Sequence, residues 1–109
     1  SVANKPLTIV YPQGINLAPG VIAADGSVAI RIPAHPFCRA LIKKLKRPLL
    51  STSANISGSG SPARYEAIDK ELIRMADWTS PPFLEEGTTG KPSSIIRVGS
   101  QNEIEIIRP

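Results

Sequence analysis

An α/β fold, a twisted mixed sheet with flanking helices, is predicted for this chain by three observations. Short β-rich runs such as Leu7-Thr8-Ile9-Val10-Tyr11 stop at Pro, Gly or Ser clusters. Two stretches, 37–46 and 65–76, carry apolar residues at helical spacing. Near the C-terminus, two runs rich in isoleucine flank Gly99-Ser100-Gln101-Asn102 and predict an antiparallel hairpin.

The 109 residues suffice for one small domain. At 41% apolar and 20% charged, with no long apolar run, the sequence predicts neither a membrane partner nor a secretory segment. Cys38 stands alone, which excludes an internal disulfide and a zinc cluster and suits the cytoplasm. Ser1 in place of an initiator Met points to an excised or processed piece. The net charge of +4 is uneven: residues 1–47 hold seven Lys or Arg and one acid, whereas residues 48–109 hold six basic and eight acidic residues. A basic front half suits an anionic partner, nucleotide or nucleic acid, though solubility alone also explains it.

Taken in order, Lys5-Pro6 sets an extended entry to the first strand, and Pro12-Gln13-Gly14 stops it. A loop follows to the turn Asp25-Gly26. Ser27 to Pro33 is the second strand, with Val28, Ile30 and Ile32 on one face and Ser27, Ala29 and Arg31 on the other. Arg31, flanked by small residues, offers a planar guanidinium to a carboxylate or phosphate; its plainer role is a solvent-facing charge. Phe37 to Lys46 forms a helix with Phe37, Leu41 and Leu45 spaced by four, and Arg39, Lys43, Lys44, Lys46 and Arg47 on the other side. Cations near a helix C-terminus are favoured by its dipole, so this face needs no RNA to explain it, yet it is the best RNA-contact candidate. Cys38 is a core residue of this helix, and His35 at its entrance serves local hydrogen bonding rather than catalysis.

Pro48-Leu49-Leu50 reads as a short buried strand that opens into Ser51-Thr52-Ser53-Ala54-Asn55-Ile56-Ser57-Gly58 and then Ser59-Gly60-Ser61-Pro62. Small side chains admit a ligand to the backbone, and hydroxyl and N–H groups bind phosphate oxygens. Ligands of open α/β sheets lie beyond the carboxyl ends of the strands. A second helix spans Tyr65 to Ala76, with Glu66 and Lys70 at an i,i+4 spacing. Phe83-Leu84 is a short strand, 85–92 a turn-rich loop, and 93–98 and 103–107 the terminal strands.

One His, one Cys and scattered acids make no metal site. No Gly-x-Ser-x-Gly elbow occurs, and Gly90-Lys91-Pro92-Ser93 lacks the glycine spacing of a phosphate-binding loop. Small hydroxyls do recur near strand ends, at Ser27, Ser51, Ser53, Ser61 and Ser93, in company with Arg31 and Arg108. That set suits a binder of an anionic small molecule better than an acid–base catalyst.

Five ordered blocks then carry a resemblance: Pro6 to Val10, Val28 to Pro36, Pro48 to Gly58, Gly90 to Ile96, and Ile107-Arg108-Pro109. Together they resemble the YrdC domain of threonylcarbamoyl-AMP synthases. The resemblance implies an α/β twisted sheet with a positively charged concave cavity. It implies a reaction of L-threonine, bicarbonate and ATP, with Mg2+ carried by the nucleotide, giving threonylcarbamoyl-AMP and pyrophosphate. A partner transferase would then modify adenosine 37 of tRNA. By the same resemblance Arg31, Ser51 and Ser93 would bind threonine. Ser27, Ser53, Ser61 and Arg108 would contact the nucleotide, and Asn55 would brace its loop or touch the phosphates. No residue is assigned as a protein nucleophile.

The match departs from the family in two respects. Asn4-Lys5-Pro6-Leu7-Thr8 lacks the glycine of the family's PG-PLT block. The family's Pro-Thr-Glu-Thr and Lys-x-Arg motifs are absent, so residues 1–109 resemble the C-terminal portion of one domain. Weak or no synthase turnover is therefore expected of this chain alone. Two other classes compete: a basic RNA or tRNA-binding module without catalysis, and a structural half-domain that works only when docked on a partner chain. With 5% aromatic residues, stacking on single-stranded bases is not expected.

Overall fold

The computed structural model describes residues 6–109. The chain divides into two units: the chain up to Leu50 together with Ser93–Pro109, and Ser51–Pro92. The first unit holds a four-stranded sheet of order β2-β1-β3-β4, with β1 Leu7–Tyr11, β2 Val28–Arg31, β3 Ser94–Val98 and β4 Ile104–Arg108. β1 runs antiparallel to β2 and parallel to β3, and β3 and β4 form an antiparallel hairpin. The sheet is therefore mixed, as the sequence predicts. The extended entry at Lys5 and the altered turn at Asn4-Lys5 lie outside the described residues.

β1 and β2 are joined by a loop drawn in by its glycines. The Gly14 N–H donates to the Gly26 carbonyl at 2.9 Å, and Gly26 adopts φ +88°, a backbone state that favours glycine. A Cβ on Gly14 would lie 3.0 Å from Val28 Cγ1 and 3.2 Å from Ile22 Cγ1. That close approach seals Val28, the single buried hydrophobic residue among those described, at 4% exposure. The hairpin turn closes with the Gly99 N–H on the Glu103 carbonyl at 2.8 Å and with Asn102 left-handed at φ 65°. A register shift between Ile95 and Ile96, which pair with Arg108 and Ile106, puts a bulge in β4 with Ile107 as the extra residue.

The helix predicted at 37–46 is observed as α1, Pro36–Leu45. Pro36 presets the first helical φ, and His35 Nδ1 accepts the Phe37 N–H at 3.1 Å as the N-cap. Lys46 ends the helix in the left-handed conformation, its N–H on the Ile42 carbonyl at 2.9 Å.

Four sequence expectations are corrected. The second strand is shorter than Ser27–Pro33, so Arg31 ends it instead of sitting at its middle. Pro48-Leu49-Leu50 forms no strand, and Leu49 and Leu50 are 52% and 76% exposed. Pro48 has no N–H to give a ladder, and three residues gain too little from pairing without a neighbouring strand. The helix expected over 65–76 breaks into a 3-10 turn, Tyr65–Ala67, and α2, Lys70–Met75. Ile68 turns extended, and Asp69 accepts the Glu71 N–H at 2.8 Å, so a capping carboxylate starts a new helix within the apolar periodicity. The surface ion pair is consequently Arg74–Glu71 at 2.5 Å rather than Glu66–Lys70. Phe83-Leu84 lies in a 3-10 turn, Pro82–Glu85, because Pro82 fixes the φ of a first helical residue.

Alternation along the strands sorts the sheet into two faces. Ile30, Ile9, Ile96 and Ile106 stand in register on one of them, and Ile30 and Ile106 are 43% and 70% exposed. Thr8 and Arg31 stand opposite one another on the other face.

Because Val28, approached by Gly14, is the one buried hydrophobic residue among those described, its loss is expected to dominate a mutational survey. Val28→Ala should cost about 2 kcal/mol in urea unfolding. Ile32→Ala, at a residue 85% exposed, should stay within about 0.5 kcal/mol. Equal losses at the two positions would contradict this placement of the core.

Candidate functional site

β1 is the inner strand that positions the site, since it pairs with β2 on one side and β3 on the other. Parallel pairing sets Leu7 against Ser94 and Thr8 against Ile95, so Ser93, just before β3, comes alongside the start of β1. Thr8 Oγ1 and Ser93 Oγ are 2.6 Å apart across 85 residues of sequence. Among the described residues Ser93 is one of two buried polar residues, at 8% exposure.

Arg108, near the end of β4, donates from Nε to the Ser93 carbonyl at 2.8 Å. Its Nη2 reaches Ser93 Oγ at 3.5 Å. Charge assistance strengthens the first of these bonds, which fixes the guanidinium plane while its remaining N–H groups stay available. On the other side of Thr8, register places Arg31 directly opposite in β2. One sheet face thus carries Arg31, Thr8, Ile95 and Arg108 in register, with Ser93, two residues before Ile95, bonded to both Thr8 and Arg108. Two guanidiniums flank two hydroxyls, with no carboxylate bonded to any of the four among the described residues. Such a set can hold a carboxylate or phosphate by charge and by paired N–H donors.

Ser27, the other buried polar residue, lies four residues from Arg31, about 13 Å along an extended strand. Its hydroxyl donates to Asp25 Oδ1 at 2.6 Å, and its N–H donates to the same oxygen at 2.9 Å. These bonds from Ser27, aided by the Arg97 guanidinium 4.0 Å from Oδ2, hold the Asp25 carboxyl below its ordinary value. The Ser27 hydroxyl can therefore offer a ligand only its lone pairs while this turn is intact.

The remaining predicted residues, Ser51, Ser53, Asn55 and Ser61, belong to the second unit. The stretch 51–62 has no regular structure, as its Ser and Gly content predicts, and its five serines, Ser51, Ser53 and Ser61 among them, are exposed. Asn55 Nδ2 donates to the Ile56 carbonyl at 3.1 Å and to the Ser59 carbonyl at 2.8 Å. This tie folds 55–59 into a turn that the Ser59 N–H closes on the Ile56 carbonyl at 2.9 Å, with Gly58 at φ +89°. Asn55 Oδ1 is buried and accepts no hydrogen bond among the described residues, an acceptor open to a donor from elsewhere. In the same unit, Glu85 accepts the Tyr65 N–H at 2.6 Å and anchors the 3-10 turn.

Thr8 is the site residue that sequence reading missed, having been counted only as a β-former. Its signal lay in the register, which no local pattern reveals. No group of three or more His, Cys, Asp or Glu comes together among the described residues, and no helix among them is long and apolar enough to cross a membrane.

This fold is that of an α/β chain, one sheet face of which carries cations and hydroxyls of the kind that suit an anion. The family model for Sua5/YciO/YrdC, described as telomere recombination, matches residues 1–109, and the chain belongs to that family. It is similar to a protein of Methanocaldococcus jannaschii, 37% identical over 101 residues, covering 93% of this chain and 45% of that one. It is also similar to two proteins named threonylcarbamoyl-AMP synthase. The one from Dichelobacter nodosus is 48% identical over 70 residues, with coverages of 64% and 36%. The one from Idiomarina loihiensis is 32% identical over 94 residues, with coverages of 84% and 48%. The chain thus spans less than half the length of these relatives. No solved structure matches it.

The depressed Asp25 pKa carries a pH signature. A carboxyl lowered in the fold contributes stability that is complete above its unfolded value, about 3.9, and fades as pH falls through the folded value. Melts of the wild-type chain and Asp25→Asn should differ at pH 7 and converge as pH falls below the ordinary carboxylate range. A constant difference across that range would show that the Asp25 charge is not what holds the turn.

Proposed function

We propose that this chain forms the substrate-binding sheet of an L-threonylcarbamoyladenylate synthase. The observation that carries the reading is the Arg31–Thr8–Ser93–Arg108 set. Support comes also from the family match and from relatives named threonylcarbamoyl-AMP synthase.

In this reading Arg31 holds the carboxylate of L-threonine and Ser93 contacts the same substrate, and Ser51, in the second unit, is also assigned to L-threonine. Ser27, Ser53, Asn55, Ser61 and Arg108 contact the nucleotide. The threonine amine takes up CO2 from bicarbonate to give a carbamate, with loss of water. A carbamate oxygen attacks the α-phosphorus of ATP, the bond to the β-phosphate oxygen breaks, and pyrophosphate leaves. The work assigned to these residues is alignment of two anions and neutralisation of their charge, which needs no protein nucleophile. Guanidiniums and hydroxyls suit the phosphates better than they suit a cation, so Mg2+ enters as part of Mg-ATP. The product serves a transferase that modifies adenosine 37 of tRNA, which places the work in the cytoplasm.

The test is a thermal melt with Mg-ATP, with L-threonine and with both. Stabilisation by both together should disappear in Arg31→Ala while the unliganded melt stays unchanged. Equal stabilisation of the variant would remove Arg31 from the site.

A second reading, contact with duplex RNA or tRNA, is favoured by one feature. No Asp or Glu occurs between Asp25 and Glu66, and the cations Arg39, Lys43, Lys44, Lys46 and Arg47 on and just after α1 make no ion pair among the described residues. Such an array suits a phosphate backbone, whose binding weakens steeply with salt. Neutralising Lys43 and Lys44 to Gln should lower duplex RNA affinity and flatten its salt dependence, whereas Arg31→Ala should leave both alone. RNA binding unmoved by the Lys43/Lys44 change would dismiss the helix as the contact.

A further inference from the structure

We infer that Thr8 is a positioning residue for the threonine subsite, acting through the Ser93 hydroxyl. This rests on the synthase reading and extends it to a residue that makes no direct contact with substrate. Thr8 sits in β1, held between β2 and β3, and its β-branched side chain has few rotamers in a strand. Its hydroxyl is thus fixed by the sheet, 2.6 Å from Ser93 Oγ. Ser93 precedes β3, and its carbonyl and hydroxyl both face Arg108.

A serine oxygen has two lone pairs and one proton. When the Thr8 O–H and Arg108 Nη2–H both point at Ser93 Oγ, the lone pairs are occupied and the one remaining role of the serine is to donate. Ser93 is then held with its proton directed away from the sheet, toward an acceptor such as the carboxylate that Arg31, opposite Thr8, would hold. Without the Thr8 hydroxyl one Ser93 lone pair is left unoccupied, its O–H is no longer confined to one direction, and its alignment on the ligand is lost. Ser93, assigned to threonine, is also the residue that bonds Arg108, assigned to the nucleotide, and its carbonyl keeps that bond whatever stands at Thr8.

Calorimetric titration with L-threonine in saturating Mg-ATP, and with Mg-ATP alone, tests this on wild type, Thr8→Val and Thr8→Ser. Thr8→Val keeps shape and strand propensity and removes only the hydroxyl. It is expected to weaken L-threonine binding by about five- to tenfold, the worth of one hydrogen bond. Mg-ATP affinity should stay within about twofold, and the unliganded melt within about 3 °C. Thr8→Ser restores the hydroxyl and should return L-threonine binding to near the wild-type value. L-threonine binding unchanged in Thr8→Val, or not restored by Thr8→Ser, overturns the inference while the synthase reading stands. A wild-type chain that binds neither ligand overturns the synthase reading and the inference with it.

Discussion

The parallel pairing of β1 with β3 is the constraint on which the rest of the first unit depends. It joins residues more than 80 positions apart, Leu7 with Ser94 and Thr8 with Ile95. Through it the Thr8 and Ser93 hydroxyls meet, and through Ser93 the guanidinium of Arg108 is fixed. On the other side, the antiparallel ladder with β2 brings Arg31 opposite Thr8. Remove the β1–β3 register and the four groups have no reason to share a face. A slip of one residue would turn Thr8 to the isoleucine face and put Ile9 in its place.

The same sheet explains the balance of polarity in the unit. On one face stand the cations and hydroxyls, and on the other the row Ile30, Ile9, Ile96, Ile106. Among the described residues only Val28 is a buried hydrophobic, and Gly14 lets the loop approach it. The polar face is better specified than the apolar one. Its hydroxyls and guanidinium have named partners at 2.6–2.8 Å, whereas Ile106 remains 70% exposed.

Local features of the fold were legible in the sequence. β1 and the hairpin follow from β-branched runs bounded by Gly, Asn and Pro, and α1 follows from four-residue spacing behind His35-Pro36. Features set by competition were not. Asp69 carries both an apolar periodicity around it and a capping carboxylate, and the cap prevailed, which divided the predicted helix. Leu49 and Leu50 look like a strand in isolation, but a strand exists only where a neighbour completes its ladder. For the site, residue type sufficed to single out Arg31, Ser93 and Arg108, because arginines and small hydroxyls near strand ends are chemically conspicuous. Thr8 was invisible because its importance lies wholly in which residue stands beside it. Ser27 was noticed as a hydroxyl, yet its neighbour Asp25, two positions away, engages that proton.

The claim at the centre of this account is that the sheet face from Arg31 to Arg108 receives the substrate anions. Heteronuclear NMR of the chain, titrated first with Mg-ATP and then with L-threonine, addresses it directly. Shift changes are expected at the Arg31 and Arg108 Nε–H groups and at the Thr8 and Ser94 amides, with the Gly99–Glu103 turn unmoved. Changes confined to α1, or a spectrum indifferent to both ligands, would contradict it.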